Sequence, residues 1–435
     1  MSQLIASDRR VWRSNYLSFI LVAQLLCWLW ILVDGMYSES TFQFSRISWI
    51  VRDQTWYSPE ALYDEIPLWG KHYFGDLQIF FGFVSDPSPY AVGRTINPQT
   101  APFGLSFYSA IGFFGGVVAI LLFLSLSLAL PALLICVWLK EEPINVQIGA
   151  YCALVLVNTS ALMAIDRGNI LLIVVPIIGF LFYRIMKSQS LGILEALLFA
   201  TVISLKPYLV LLFFFFIFEK RYRFIIQSAV IGLFFNFMAA FTYGMSLFRI
   251  VQTMFQTSSA YNSSESMEFN INTGAAAFKA VFEIVKAIKG DLYAVHFFET
   301  HSVATALPGL LYLVVVLMIS AKTSIPMWIR IISILSTIQM VISASPRYDL
   351  VWSIVGGLII LQQSSKESTA SNLSSGKKEL LVAYISGIGF AIGGLPFDSC
   401  RFWSPLLWCV LMLLVFAMYV VPWSTKRKLI FVGST

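Results

Sequence analysis

The chain is 435 residues long, 58% hydrophobic and only 12% charged, against about half apolar and a quarter charged in an ordinary soluble domain. That balance excludes a soluble globular protein and a disordered one, and it indicates a single integral-membrane domain over residues 1–435. The net charge of +6 is not a nucleic-acid signal, because no basic stripe interleaves with exposed aromatics.

Arg9, Arg10 and Arg13 precede an apolar run over 16–33, which predicts a first span with the N-terminus in the cytoplasm. A polar segment follows over 34–102 and carries Asp34, Glu39, Asp53, Asp64, Glu65, Asp76 and Asp86. It is too long for a connector and too aromatic for a linker, so it reads as a first, functional extracytoplasmic loop. Apolar runs then recur at 103–139, where a short interfacial helix precedes the span, and at 146–164, 170–186, 191–205, 207–218 and 224–247. Further runs at 303–321, 325–344, 350–364, 379–396 and 405–423 bring the count to about twelve spans. The expected fold is therefore an all-α polytopic membrane bundle.

Segments that this scheme puts in the cytoplasm hold 17 basic and five acidic residues, a net of +12, whereas the outer ones hold 12 basic and 16 acidic, a net of −4. Basic residues accumulate on the cytoplasmic side, so both termini are expected there. The short runs 191–205 and 207–218 are separated only by Lys206-Pro207 and read as a hairpin whose tip reaches the outer boundary. Segment 248–302 reads as a second outer loop, in which Phe278, Val281, Phe282, Val285 and Ile288 recur at the spacing of an interfacial helix. Residues 365–378, rich in Ser, Lys and Asn, read as a cytoplasmic linker.

The chemistry concentrates on the outer side. A charge at the centre of a bilayer costs roughly 2.5 to 3.5 kcal/mol, so Asp166 and Arg167 belong at a membrane face or in a polar cavity. Arg167 can grip a phosphate by two parallel donors and Lys206 as a point charge, which suggests an anionic lipid headgroup as substrate. A loop carboxylate could deprotonate an acceptor hydroxyl. No Asp-x-Asp pair of the kind that holds a metal-nucleotide complex occurs, and His72, His296 and His301 do not converge at metal-ligand spacing. No metal or cofactor is expected.

The stretches His72-Tyr-Phe-Gly-Asp76-Leu-Gln, Ser88-Pro-Tyr90 and Asn97-Pro-Gln-Thr-Ala-Pro102-Phe103 resemble the first outer loop of glycosyltransferase family 87. Arg167-Gly168-Asn169, Lys206-Pro207 and Ser345-Pro-Arg347-Tyr348-Asp349-Leu-Val resemble later motifs of that family, in the same order. The resemblance implies a GT-C-like bundle in the cell membrane and an inverting transfer of a hexose, typically mannose. The donor would be a polyprenyl-phosphate sugar and the acceptor a lipid or glycan at the extracytoplasmic face. It implies Asp76 as the base, with Asp34 at the exit of the first span as the alternative. Tyr90, Asp166, Arg167, Asn169, Lys206, Arg347 and Tyr348 would bind substrate.

A flippase for lipid-linked glycans would place charges in the middle of several spans, where only Glu195 lies well inside a run. A polysaccharide polymerase or ligase shares the lipid-phosphate chemistry and stays open. The charge asymmetry makes a direct prediction: reporter fusions at Ser374 and Ser263 should report opposite sides of the membrane. Two cytoplasmic signals would remove the outer-face argument.

Overall fold

The computed structural model describes residues 101–113, 116–253, 302–341, 351–363 and 400–420, with scattered positions within 17–29, 77, 288–290 and 381–388. Regular structure among these residues is helical, with no strand. In chain order the helices are α1 (Pro102–Gly112), α2 (Gly116–Trp138), α3 (Ile144–Tyr151, continued by a π turn over Cys152–Leu156) and α4 (Thr159–Arg167). Then come α5 (Leu171–Met186), α6 (Ile193–Leu205), a 3₁₀ turn (Pro207–Leu211), α7 (Leu212–Phe218) and α8 (Tyr222–Thr242). The last are α9 (Ser302–Ala321), α10 (Met327–Val341), α11 (Ser353–Gln363) and α12 (Cys400–Tyr419).

These helices fall into two length classes. α2, α8, α9 and α12 have 23, 21, 20 and 20 residues and rise about 30 to 35 Å. α5, α6, α10 and α11 have 16, 13, 15 and 11 residues and rise about 17 to 24 Å. Two helices among the described residues, Val117–Trp138 and Tyr222–Thr242, are long and apolar enough to cross a membrane.

What faces outward is apolar. Val117, Val118, Leu121 and Leu133 of α2 and Ile226, Val230, Leu233, Phe237 and Phe241 of α8 are all exposed. An apolar surface of this extent is suited to hydrocarbon and not to water. Inside lies α5, buried from Leu171 to Ile185 with few breaks, beside α11, whose residues from Val351 to Leu361 are buried wherever they are apolar. α2 packs tightly on α5 at Gly179, where a Cβ would lie 2.7 Å from the Leu134 Cδ2. The Trp138 indole donates to the Gly179 carbonyl at 3.3 Å. Buried Ser333 and Thr337 of α10 donate to carbonyls one turn back, at 2.8 and 3.1 Å, so their hydroxyls need no water.

Polar ties gather at one end of the bundle, here called the base. The turn between α5 and α6 is closed by the Arg184–Glu195 ion pair, by Arg184 donating to the Ser190 carbonyl at 3.0 Å, and by the Gly192 N–H donating to Glu195 at 2.7 Å. Lys187 lies 3.9 Å from Glu141 in the turn after α2. Arg330, 3% exposed, pairs with Glu219 at 2.5 Å and donates to the Ser320 carbonyl at 2.7 Å. Lys322 donates to the Tyr419 carbonyl and, at 3.3 Å, to that of Val420. The turns after α2, α5, α7 and α9 and the end of α12 thus share these ties at the base.

Three expectations change. Run 146–164 is not one helix: it breaks at Val157–Asn158, because the Asn158 side chain takes the N–H groups of Ser160 and Ala161 and starts α4. Run 224–247 stops at Thr242, where Gly244 turns the chain at φ 64°. Residues 247–253 are helical again. The hairpin at Lys206 is shallower than the long helices, since α6 has 13 residues and rises only about 20 Å. The linker 365–378 and most of segments 34–100 and 254–301 lie outside the described residues.

Removing one partner of a buried ion pair leaves the other charge uncompensated, at a cost of about 3 to 5 kcal/mol. Glu219→Ala should therefore lower thermal stability in detergent sharply, and the double variant Glu219→Ala/Arg330→Met should recover most of the loss. A double variant no more stable than Glu219→Ala would show that the pair is not the constraint.

Candidate functional site at the open end of the bundle

The closed turn between α5 and α6 puts the other ends of these packed helices together, Leu171 at the start of α5 and Leu205 at the end of α6. Arg167-Gly168-Asn169 and Lys206-Pro207 therefore share the open end of the bundle.

At the first of these stretches α4 ends on Gly168, whose φ of 68° and ψ of 30° are left-handed. The Gly168 N–H donates to the Ile165 carbonyl at 2.9 Å and the Asn169 N–H to that of Ala164 at 2.7 Å, which closes the helix and reverses the chain. Asn169 is buried, and its side-chain oxygen accepts from the Leu171 N–H at 3.1 Å, capping α5. Asp166 and Arg167 are the last two residues of α4. Asn158, which sequence reasoning passed over, caps α4 and donates to the Ser353 hydroxyl of α11 at 3.2 Å. The polar triplet Asn158-Thr-Ser in an otherwise apolar run was the available signal.

Lys206 sits where α6 stops, with φ −135° and ψ 86°, because Pro207 has no N–H to continue the α-helical ladder and starts a 3₁₀ turn instead. It is half-buried, and its ammonium has no ion-pair or hydrogen-bond partner among the described residues.

The start of α1 docks beside it. α1 begins with Pro102 at its first position after Ala101, which has no side chain to cap the helix. The missing cap comes from α8: Asn236 Oδ1 accepts from the Phe103 N–H at 3.0 Å. The same amide donates to the Ser204 hydroxyl at 2.8 Å and to the Gly232 carbonyl at 2.7 Å. The Ala101 N–H donates to the Ser204 carbonyl at 2.9 Å, and Phe103 stacks on Phe235 with ring centres 4.8 Å apart.

These contacts fix a depth. Asn236 lies 236 − 222 = 14 residues along α8 and six before its end at Thr242, about 21 Å above the base and about 9 Å below the far end. Phe103 meets Phe235, and Leu105 joins Ala240 and Ile250 in one buried cluster, so α1 climbs in the direction of α8. α1 thus starts at Pro102, below the far end of α8, and rises toward it. Both the cation and the positive end of the α1 dipole lie below the rim, an arrangement that favours an anion.

Of the other expected site residues, Asp34, Asp76, Tyr90, Arg347 and Tyr348 lie outside the described residues. Leu77, which follows Asp76, is helical and 1% exposed, and belongs to the main core. Among the described residues no three His, Cys, Asp or Glu side chains gather in a way that could hold a metal ion. Compared with known proteins, the chain matches no family model, no curated protein and no solved structure.

Asn158→Ala removes the cap of α4 and the tie to α11 and should cost about 1 to 2 kcal/mol. Asn158→Asp keeps the cap acceptor and should lose less. Equal losses in thermal unfolding would show that the Ser353 contact, not the cap, holds the break in place.

Proposed function

We propose that the protein is an integral-membrane, inverting glycosyltransferase of the GT-C type, acting at the extracytoplasmic face of the cell membrane. It moves mannose or another hexose from a polyprenyl-phosphate donor to a lipid or glycan acceptor. In this reading the base is the cytoplasmic side, the open end is the outer side, and about twelve spans make up the bundle. The observation that carries it is the contact between Ala101 and Ser204. Asn97–Phe103 and Lys206-Pro207 are two of the stretches on which the family resemblance rests, and that hydrogen bond joins the first to Ser204, two residues before the second.

The chemistry follows from the charges. The acceptor hydroxyl attacks the anomeric carbon from the face opposite the phosphate, and a carboxylate takes its proton. As the new glycosidic bond forms, the bond from the anomeric carbon to the phosphate oxygen breaks, and the polyprenyl phosphate leaves with the electron pair. Lys206 and Arg167 hold the charge that develops on the departing phosphate, which is worth most where water is excluded. Asp76 is the base in this account and Asp34 its alternative; the burial of Leu77 supports Asp76, because it ties that part of the first loop to the core. Asn169 acts through its backbone turn and by capping α5, while Tyr90, Asp166, Arg347 and Tyr348 are the further substrate-binding residues of this reading.

One observation favours a second reading. Half-helices that end inside a bundle, such as α1, and breaks such as that at Asn158, are also how transporters build midplane sites. A flippase for lipid-linked glycans would use the same anion site without breaking a glycosidic bond.

Purified protein in lipid nanodiscs, given radiolabelled polyprenyl-phosphate mannose and a membrane lipid extract, should transfer label to a new product. Lys206→Ala should raise the donor KM by about tenfold or more, since a charge-assisted bond in a desolvated site contributes roughly 1.5 to 3 kcal/mol. Asp76→Asn should cut turnover by about a hundredfold and Asp34→Asn only mildly. Full activity of both carboxylate variants would overturn the mechanism. Movement of intact lipid-linked glycan across vesicles with no transfer would replace it with the flippase.

A further inference from the structure

We infer that Asn236 is a positioning residue: it clamps the start of α1 beside Lys206 and so sets where the donor phosphate is held. Its place in the chain is costly without such a role. It lies within α8, among Leu233, Phe234, Phe237 and Met238, all exposed on the lipid-facing surface. A polar side chain at that level is retained when it faces the bundle and finds partners. Asn236 uses both its oxygen and its nitrogen, bonding α1 through Phe103, α6 through Ser204 and its own helix through Gly232.

The side chain does what no residue of α1 can. Ala101 offers no cap and Pro102 no N–H, so the first free donor of the helix is Phe103 N–H, and Asn236 takes it. Ser204 completes the clamp on two sides: its carbonyl accepts from Ala101 and its hydroxyl from Asn236, while that hydroxyl donates to the Ala200 carbonyl at 2.9 Å. Lys206 is two residues further on. One amide therefore fixes the distance between the end of the first loop and the turn that carries the cation. Gly232, one turn below, faces α6 as well: the Ala200 Cβ lies 3.7 Å from where a Cβ of residue 232 would stand, an ordinary packing distance.

As a statement about substrate use this rests on the transferase reading; as a statement about α1 it does not, and the two are separable in one experiment. The full chain in lipid nanodiscs is followed by amide hydrogen exchange over Ala101–Leu105 and, in parallel, by steady-state transfer from polyprenyl-phosphate mannose. Asn236→Ala should speed exchange at Phe103 about tenfold, the range of a lost helix cap, and leave α2 unchanged. The same variant should raise the donor KM about tenfold while the acceptor KM and kcat stay within about twofold, a split that general destabilisation would not give. Asn236→Asp keeps an acceptor for Phe103 and should retain protection there, which also serves if Asn236→Ala fails to insert. Fast exchange in Asn236→Asp, or lost protection with an unchanged donor KM, would overturn the inference. If the wild-type chain transfers no sugar, binding of polyprenyl phosphate should still slow exchange over Ala101–Leu105 in the wild type and not in Asn236→Ala. That result would leave the clamp standing and remove the transferase; the absence of any slowing would overturn the clamp as a device for holding phosphate.

Discussion

Where apolar surroundings replace water, every backbone donor and acceptor must find a partner within the protein, and that constraint orders this bundle. Its short helices stop well before the long ones do, so their ends cannot be left to solvent. Three helix starts are met by asparagine side chains: α1 by Asn236 of α8, α4 by the preceding Asn158, and α5 by Asn169 just before it. The base solves the same problem with charge, where Arg330 and Lys322 take the terminal carbonyls of α9 and α12.

This division gives the bundle two unlike ends. At the base, cations and carboxylates neutralise one another, as in Arg184–Glu195 and Arg330–Glu219. At the open end Lys206 has no such counter-charge among the described residues, and a helix start adds to its potential. A buried ion pair contributes little net stability but fixes geometry; a cation with no counter-charge among the described residues is a candidate partner for an anion. The proposed chemistry uses the second end and needs the first to hold still.

The sequence made the helical class and most element positions legible, because apolar runs bounded by charges need no tertiary information. α5, α6, α9 and α12 fall close to their runs for that reason. The break at Asn158 left only the polar triplet Asn158-Thr-Ser as a trace, and what breaks the helix, one side chain bonding to two local N–H groups and to Ser353, 195 residues away, lay hidden. The depth of Lys206 was hidden in the same way. A Lys-Pro turn announces where a helix stops, but only the count of residues in α6 against α8 tells how far below the rim it stops. Asn236 could be seen as a polar residue in an apolar helix, yet its meaning depends on Phe103, a residue 133 positions earlier.

That separation has a consequence for how the protein is made. α1 leaves the ribosome long before the helix that caps it, and at about 5 to 20 residues per second the 133 intervening residues take on the order of ten seconds or more. During that interval its first N–H groups have only water or lipid headgroups to bond. The contacts of the α1 start with α6 and α8 can therefore be completed only after Asn236 has been made, late in synthesis relative to α1 itself.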